Sequence, residues 1–206
     1  MKKLILIVAM IACISVANAA EPRLQKTALS VPPHIEFKYW GLYGVLSYDF
    51  VKTMWIDGAY PMPAMHGATG VIGFQFRRQT GIGVGFSYWS DKNGLFSQMP
   101  LFLELRTNYT RSRFTPYTAL QIGYSFSMGG RMQQQTEAWY MEKGGMTVGV
   151  LAGGRIAIKR NFGLSLGVGY QLMNAREMIY TDKDGIPAMK ESVLLHNLRI
   201  NFALNF

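Results

Sequence analysis

The sequence predicts an all-β chain whose eight antiparallel strands close into an up-and-down transmembrane β-barrel. Three observations carry that prediction. Successive segments alternate apolar with small or polar residues at a period of two, which sorts the two classes onto opposite faces of a pleated strand and cannot arise at 3.6 residues per turn. The connections alternate between short and long, as in membrane barrels with tight turns at one end and loops at the other. The face opposite the apolar one is mostly Gly, Ser, Asn and Gln, which suits a narrow interior.

The N-terminus stands outside this pattern. Lys2 and Lys3, the apolar run from Leu4 to Ile14, and Ala17-Asn18-Ala19 read as a cleavable signal peptide over residues 1–19. A lipoprotein box at Met10-Ile11-Ala12-Cys13 is the weaker match, because Met and Ile suit it poorly. Cleavage takes the charge from +9 to +7, since Lys2 and Lys3 leave without an acid, and it removes the only cysteine, Cys13. Stability must then come from packing and closed hydrogen bonding rather than disulfides. Residues 20–36, with Pro22, Pro32 and Pro33, read as a tail, and residues 37–206 as the barrel.

Strands are predicted over residues 37–48, 67–77, 81–89, 99–110, 114–128, 146–159, 162–174 and 193–206. The third opposes Ile82, Val84, Phe86 and Tyr88 to Gly81, Gly83, Gly85 and Ser87, and the fifth opposes Leu120, Ile122, Tyr124 and Phe126 to Ala119, Gln121, Gly123 and Ser125. The seventh sets Phe162, Leu164, Leu166, Val168, Tyr170 and Leu172 against Gly163, Ser165, Gly167, Gly169 and Gln171. The last sets Leu198, Ile200, Phe202, Leu204 and Phe206 against Asn197, Arg199, Asn201, Ala203 and Asn205. Tight turns fall at Arg77-Arg78-Gln79-Thr80, Arg111-Ser112-Arg113 and Lys159-Arg160-Asn161, and long links at residues 49–66, 90–98, 129–145 and 175–192.

A soluble β-sandwich would also alternate, but its polar faces should be rich in Lys, Glu and Thr. A closed barrel instead pairs every backbone amide within hydrocarbon and leaves no edge. Tyr39, Trp40, Tyr48, Tyr88, Trp89, Tyr109, Tyr117 and Tyr170 lie near predicted strand ends, where aromatic girdles belong.

The ending Leu198-x-Ile200-x-Phe202-x-Leu204-x-Phe206 resembles the C-terminal signal by which barrel-assembly machinery recognises outer-membrane barrels. The chain from residue 37 to residue 206 resembles the small OmpA/OmpX-like barrel group, including Bacteroidetes-type outer-membrane β-barrel proteins. The resemblance implies a Gram-negative outer membrane, assembly-machinery and lipid partners, and periplasmic chain ends. It implies no activity, because such barrels include structural proteins, adhesins, narrow pores and enzymes. Nothing after Phe206 corresponds to the peptidoglycan-binding domain of full-length OmpA.

Charge is distributed unevenly. The tight turns hold Arg77, Arg78, Arg111, Arg113, Lys159 and Arg160 without an acid, whereas the long links hold Asp49 and eight other acids against seven bases. Basic turns beside anionic phospholipid could anchor the barrel at about 1 kcal/mol each, or serve only as solubilising charge. Nucleic-acid binding is disfavoured, because no binding motif surrounds these residues.

The interior is expected to hold Gln75, Glu104, Arg106, Gln121, Arg155, Asn197, Arg199 and Asn201. A buried acid needs a partner, so Glu104 should pair with Arg106, Arg155 or Arg199. The first reading is a polar plug; the alternative is a narrow channel biased toward anions, with one acid against three bases.

A lipid A- or phospholipid-modifying enzyme is the third reading. His34 lies in the tail, whereas His66 and His196 approach one rim; Glu191, Ser192 and His196 could make a triad on paper. The His-x-Ser pattern of lipid A deacylases is absent, because Asn197 and Leu198 follow His196. No metal or cofactor is expected, since no ligand spacing or phosphate loop is recognisable. Trp55, Tyr60, Trp139, Tyr140 and Tyr180 fall in long links, as contacts for an extracellular ligand or as part of the headgroup girdle. The resulting expectation is a monomeric barrel with a structural or surface-interaction role.

Overall fold

The computed structural model describes residues 41–56, 64–76, 79–92, 96–110, 112–128, 131–134, 137–159, 161–181 and 187–206. Its strands are β1 (Gly41–Ile56), β2 (Met65–Gln75), β3 (Thr80–Asp91), β4 (Ser97–Asn108), β5 (Phe114–Ser127), β6 (Arg131–Gln134), β7 (Glu137–Lys143), β8 (Gly145–Lys159), β9 (Phe162–Thr181) and β10 (Pro187–Asn205). Among the described residues no helix is long and apolar enough to cross a membrane.

Eight strands close the barrel in the order β1-β2-β3-β4-β5-β8-β9-β10, and β10 returns to β1. Every neighbouring pair is antiparallel. The seam pairs Val45 with Asn205 and continues to Ile56 with Leu195, shifting register between Thr53 and Trp55. At its end Gly44 N–H donates to the Phe206 carbonyl at 2.7 Å, and Phe206 N–H returns the bond at 2.9 Å. Closure thus satisfies backbone groups that an edge would expose.

The two faces fall as the alternation requires. Ile72 and Phe202 are 73% and 62% exposed on the outside, whereas Asn201 is 3% exposed within. Phe162, Leu166 and Ile200 also face outward, and Gly167 is buried. A sandwich would reverse these assignments. Glycine permits close inward packing: a Cβ on Gly85 would lie 2.3 Å from Cε2 of Phe102, and one on Gly73 would lie 2.5 Å from the Tyr43 ring. Val45, Val71, Phe102 and Ala203 form one apolar cluster there, and Tyr117, Ala119 and Leu151 another.

The long links differ from expectation. β1 runs eight residues past Tyr48, so Asp49, Lys52 and Trp55 belong to a strand. Their period-two inside/outside order continues, but mixed polarity hides it: Asp49, Val51 and Thr53 point inward, whereas Phe50, Lys52 and Met54 point outward. His66 likewise lies in β2, opposite Phe50 and Ser90. The expected link at 129–145 contains β6 and β7, and β7 pairs with β9 from Lys143↔Arg176 to Ala138↔Thr181. The link at 175–192 is largely the continuation of β9 and β10. Trp139 and Tyr140 therefore lie in β7 and Tyr180 in β9, whereas Tyr60 falls outside the described residues.

β9 and β10 are 20 and 19 residues long. A membrane strand needs about 9–11 residues, and the excess length of β9 pairs with β7, which in turn pairs with β6.

Candidate functional site

The buried side chains converge on a charge network inside the barrel. Asp49 descends from β1 in the same inward row as Ser47 and Val51, and Arg199 and Asn201 occupy the facing row of β10. Arg199 Nε donates to Asp49 Oδ1 at 2.9 Å and its Nη2 donates to Oδ2 at 3.1 Å. Asn201 Nδ2 donates to Oδ1 at 2.7 Å, Trp89 Nε1 lies 3.4 Å from Oδ2, and the Thr69 hydroxyl donates to the same oxygen. A bidentate guanidinium with further donors satisfies a carboxylate that has no solvent exposure.

The network continues across the lumen. Arg199 Nη1 donates to Gln121 Oε1 at 2.9 Å, and Gln121 Nε2 donates to Glu104 Oε2 at 2.7 Å. Arg106 Nε donates to Glu104 Oε1 at 2.8 Å, and its Nη1 donates to Asn205 Oδ1 at 3.4 Å. The guanidinium of Arg106 lies 4.8 Å from the Tyr117 ring centroid, and that of Arg199 lies 5.2 Å from that of Trp89. Thus β1 and β10 are bridged to β4 and β5 by Asp49–Arg199–Gln121–Glu104–Arg106. The charges alternate about the neutral amide, so each is locally compensated.

Gln75, Glu104, Arg106, Gln121, Arg155, Asn197, Arg199 and Asn201 are all buried. Glu104 takes Arg106 as its ionic partner, whereas Arg199 takes Asp49. Asn197 Oδ1 accepts from Thr53 Oγ1 at 2.7 Å. Reading the links as loops missed Asp91, at the buried end of β3, and above all Asp49. Its signal was parity with Val45 and Ser47, obscured because an acid after Tyr48 looks like a strand exit.

Including both Asp49 and Asp91 removes the charge asymmetry. Buried Asp49, Asp91 and Glu104 stand against Arg106, Arg155 and Arg199, instead of one acid against three bases. The anion bias therefore loses its electrostatic basis. A cavity bordered by Gln121, Gly149, Gly169, Gln171 and Arg199 is about the size of one water molecule.

Two aromatic residues assigned to the girdle also belong inside. Trp89 and Tyr117 are 0% and 2% exposed, in the inward rows with Ser87 and Gln121 respectively. Tyr48, Tyr88 and Tyr170 face outward, and Tyr109 is half-buried with its hydroxyl 2.9 Å from Thr118 Oγ1. Tyr39 and Trp40 lie outside the described residues.

Among the described residues, two members of the catalytic arrangement open in the sequence, Ser192 and His196, take other partners. Ser192 Oγ donates to Asn174 Oδ1 at 2.9 Å, while His196 Nδ1 is paired with the Tyr170 hydroxyl. The Glu191 side chain is outside the described residues, as is His34. No group of three His, Cys, Asp or Glu suited to a metal occurs among the described residues.

At the opposite end, Arg113 and Lys159 are exposed beside their turns, whereas Arg77, Arg78, Arg111 and Arg160 are outside the described residues. Leu198 is half-buried, while Ile200, Phe202, Leu204 and Phe206 face outward along β10 and its end.

No protein-family model matches the sequence, and no curated protein matches it. Solved structures do match. Neisserial surface protein A is 12% identical, with 80% of this chain and 96% of that one covered and a TM-score of 0.57. The outer membrane protein OprG from Pseudomonas aeruginosa is 14% identical, with 84% and 99% covered and a TM-score of 0.55. The chain therefore has the fold of the small eight-stranded outer-membrane β-barrels.

Proposed function

We infer that this chain is a Gram-negative outer-membrane barrel that reinforces the membrane and presents its loop end to surface ligands, over a lumen closed by polar side chains. The observation that carries this reading is the Asp49–Arg199–Gln121–Glu104–Arg106 bridge, whose members are buried and mutually hydrogen-bonded. Opening an ion path through it would require separating paired charges in a low-dielectric interior. The lumen is a rigid filling rather than a conduit, and the interactive parts are the strand extensions of β9 and β10 and the β6–β7 hairpin.

In this reading Phe206 and the alternating residues before it are offered to the assembly machinery. The tight turns lie in the periplasm, and outer-membrane lipids surround a monomer that uses no cofactor. The outward Phe and Tyr residues settle in the headgroup layers. Two measurements test the proposal. The chain folded into planar bilayers should give no unitary current steps, and removing residues 129–144 should abolish surface-ligand binding while retaining a heat-modifiable folded band. Regular steps from the wild-type protein would overturn the closed-lumen reading.

A further inference from the structure

Four inward positions stand side by side across the wall: Gln121 of β5 faces Gly149 of β8, Gly149 faces Gln171 of β9, and Gln171 faces Asn197 of β10. Three of them carry an amide side chain and Gly149 carries none, so a gap opens between the two glutamines. Leu151, Gly169 and Arg199 complete its lining, and its volume is about 10 Å³, close to the ~10–15 Å³ that one water molecule needs. Gly149 keeps the gap open. A Cβ built there would find Gln171 Cβ at 3.6 Å as its nearest neighbour, so a methyl group would fill the space at ordinary contact distance.

The hydrogen bonds around this cavity leave a definite remainder. The Thr147 hydroxyl donates to the Leu172 carbonyl at 3.2 Å and therefore accepts from Gln171 Nε2 at 2.6 Å. That fixes the orientation of the Gln171 amide and leaves its Oε1, buried without a donor among the described residues, as the unused end. Arg199 brings five N–H groups. Nε and Nη2 donate to Asp49 and Thr69, and Nη1 donates to Gln121 Oε1. The second N–H of Nη1 has no acceptor among the described residues. Gln121 Oε1 takes only that one bond from Arg199, although a carbonyl oxygen has two lone pairs.

These remaining groups select the occupant. A cation would meet the guanidinium, and an anion would meet two carbonyl oxygens. A neutral molecule of one heavy atom that both accepts and donates satisfies all three groups, each of which is costly to leave unpaired in the interior. Resting on the closed-lumen reading above, we propose that Gln121, Gly149, Gln171 and Arg199 form a binding site for one ordered water, which accepts from Arg199 Nη1 and donates to Gln171 Oε1 and Gln121 Oε1. The water carries the charge network beyond Arg199 to Gln171 and Thr147, and so ties the β1–β10 seam to β8 and β9.

The test is a crystal structure of the full mature chain grown from lipid, at a resolution that shows waters, beside the same crystals soaked in bromide. One isolated peak should lie about 2.5–3.2 Å from Arg199 Nη1, Gln171 Oε1 and Gln121 Oε1, without an anomalous bromide signal. Gly149→Ala should put its methyl group in place of the peak, and Gln171→Met should lose the peak, each variant keeping the heat-modifiable folded band. A dry cavity in the wild type, a bromide signal in it, or a peak of unchanged height in either variant would overturn the site. Bilayer recordings separate this from failure of the closed-lumen reading. Current steps from a protein whose isolated water is in place would overturn that reading and leave the site standing, whereas a dry cavity in a protein without steps would overturn the site alone.

Discussion

Asp49 and Arg199, 150 residues apart in sequence, meet across the β1–β10 seam in a bidentate pair with no solvent path to the carboxylate. The last strand to be made thus neutralises an acid on the first. Closure of the cylinder and compensation of its buried charge are one event.

Breaking this pair should be costly. Asp49→Ala leaves the Arg199 guanidinium buried without its carboxylate, and the expected loss is about 3–5 kcal/mol. Asp49→Asn combined with Arg199→Gln should recover part of it, because neither change then strands a charge. Denaturant midpoints of the lipid-folded protein measure both; a single-variant loss below that of Lys159→Ala would contradict the network.

The Gly85–Phe102 contact predicts an overpacking effect. Gly85→Val places carbon where the Phe102 ring lies and should destabilise the barrel by about 1–3 kcal/mol. Phe102→Ala should be costly alone yet relieve the Gly85→Val penalty. A double-mutant cycle reads this coupling, and strict additivity would exclude the contact.

Ile72 and Ser165 test which solvent each face meets. Ile72→Arg, on the outward face, should cost about 2–4 kcal/mol in a bilayer if it lies near the midplane. In a water-washed sheet the same change would cost little, since surface substitutions usually stay within about 0.5 kcal/mol. Ser165 faces the interior beside Asn205, whose Nδ2 donates to its hydroxyl at 2.9 Å. Ser165→Ala should therefore cost only about 0.5–1.5 kcal/mol, the net value of one hydrogen bond. Unfolding from vesicles compares the two.

Removing Phe206 deletes both backbone bonds to Gly44 at the seam. The truncated chain should give a lower yield of the heat-modifiable folded form than Phe206→Tyr, which keeps the backbone pair. Equal yields would show that these terminal bonds do not matter to closure.

The strands with clean contrast between faces were legible in the sequence. β5 starts at Phe114 and β9 at Phe162, both as expected, and Gly81, Gly83 and Gly85 line the interior. The interior positions of Glu104, Arg106 and Gln121 followed from the same parity. Legibility failed where polarity stopped reporting the face. Lys52 points outward and Asp49 inward on one strand, so both looked like loop residues, and Trp89 and Tyr117 looked like girdle although their parity was interior.

Local alternation and the spacing of turns were enough to specify the strand faces and an eight-stranded closure, because a period of two depends only on near neighbours. The partners of each buried charge were not specified in that way. Arg199 selects Asp49 instead of Glu104, and Gln121 links the two acids' networks, because strand register and closure bring residues of four distant strands to one point. The hairpin of β6 and β7 was hidden for the same reason: its pairing partner is the outer end of β9, beyond the period-two signal, and backbone hydrogen bonding between distant segments has no residue code of its own.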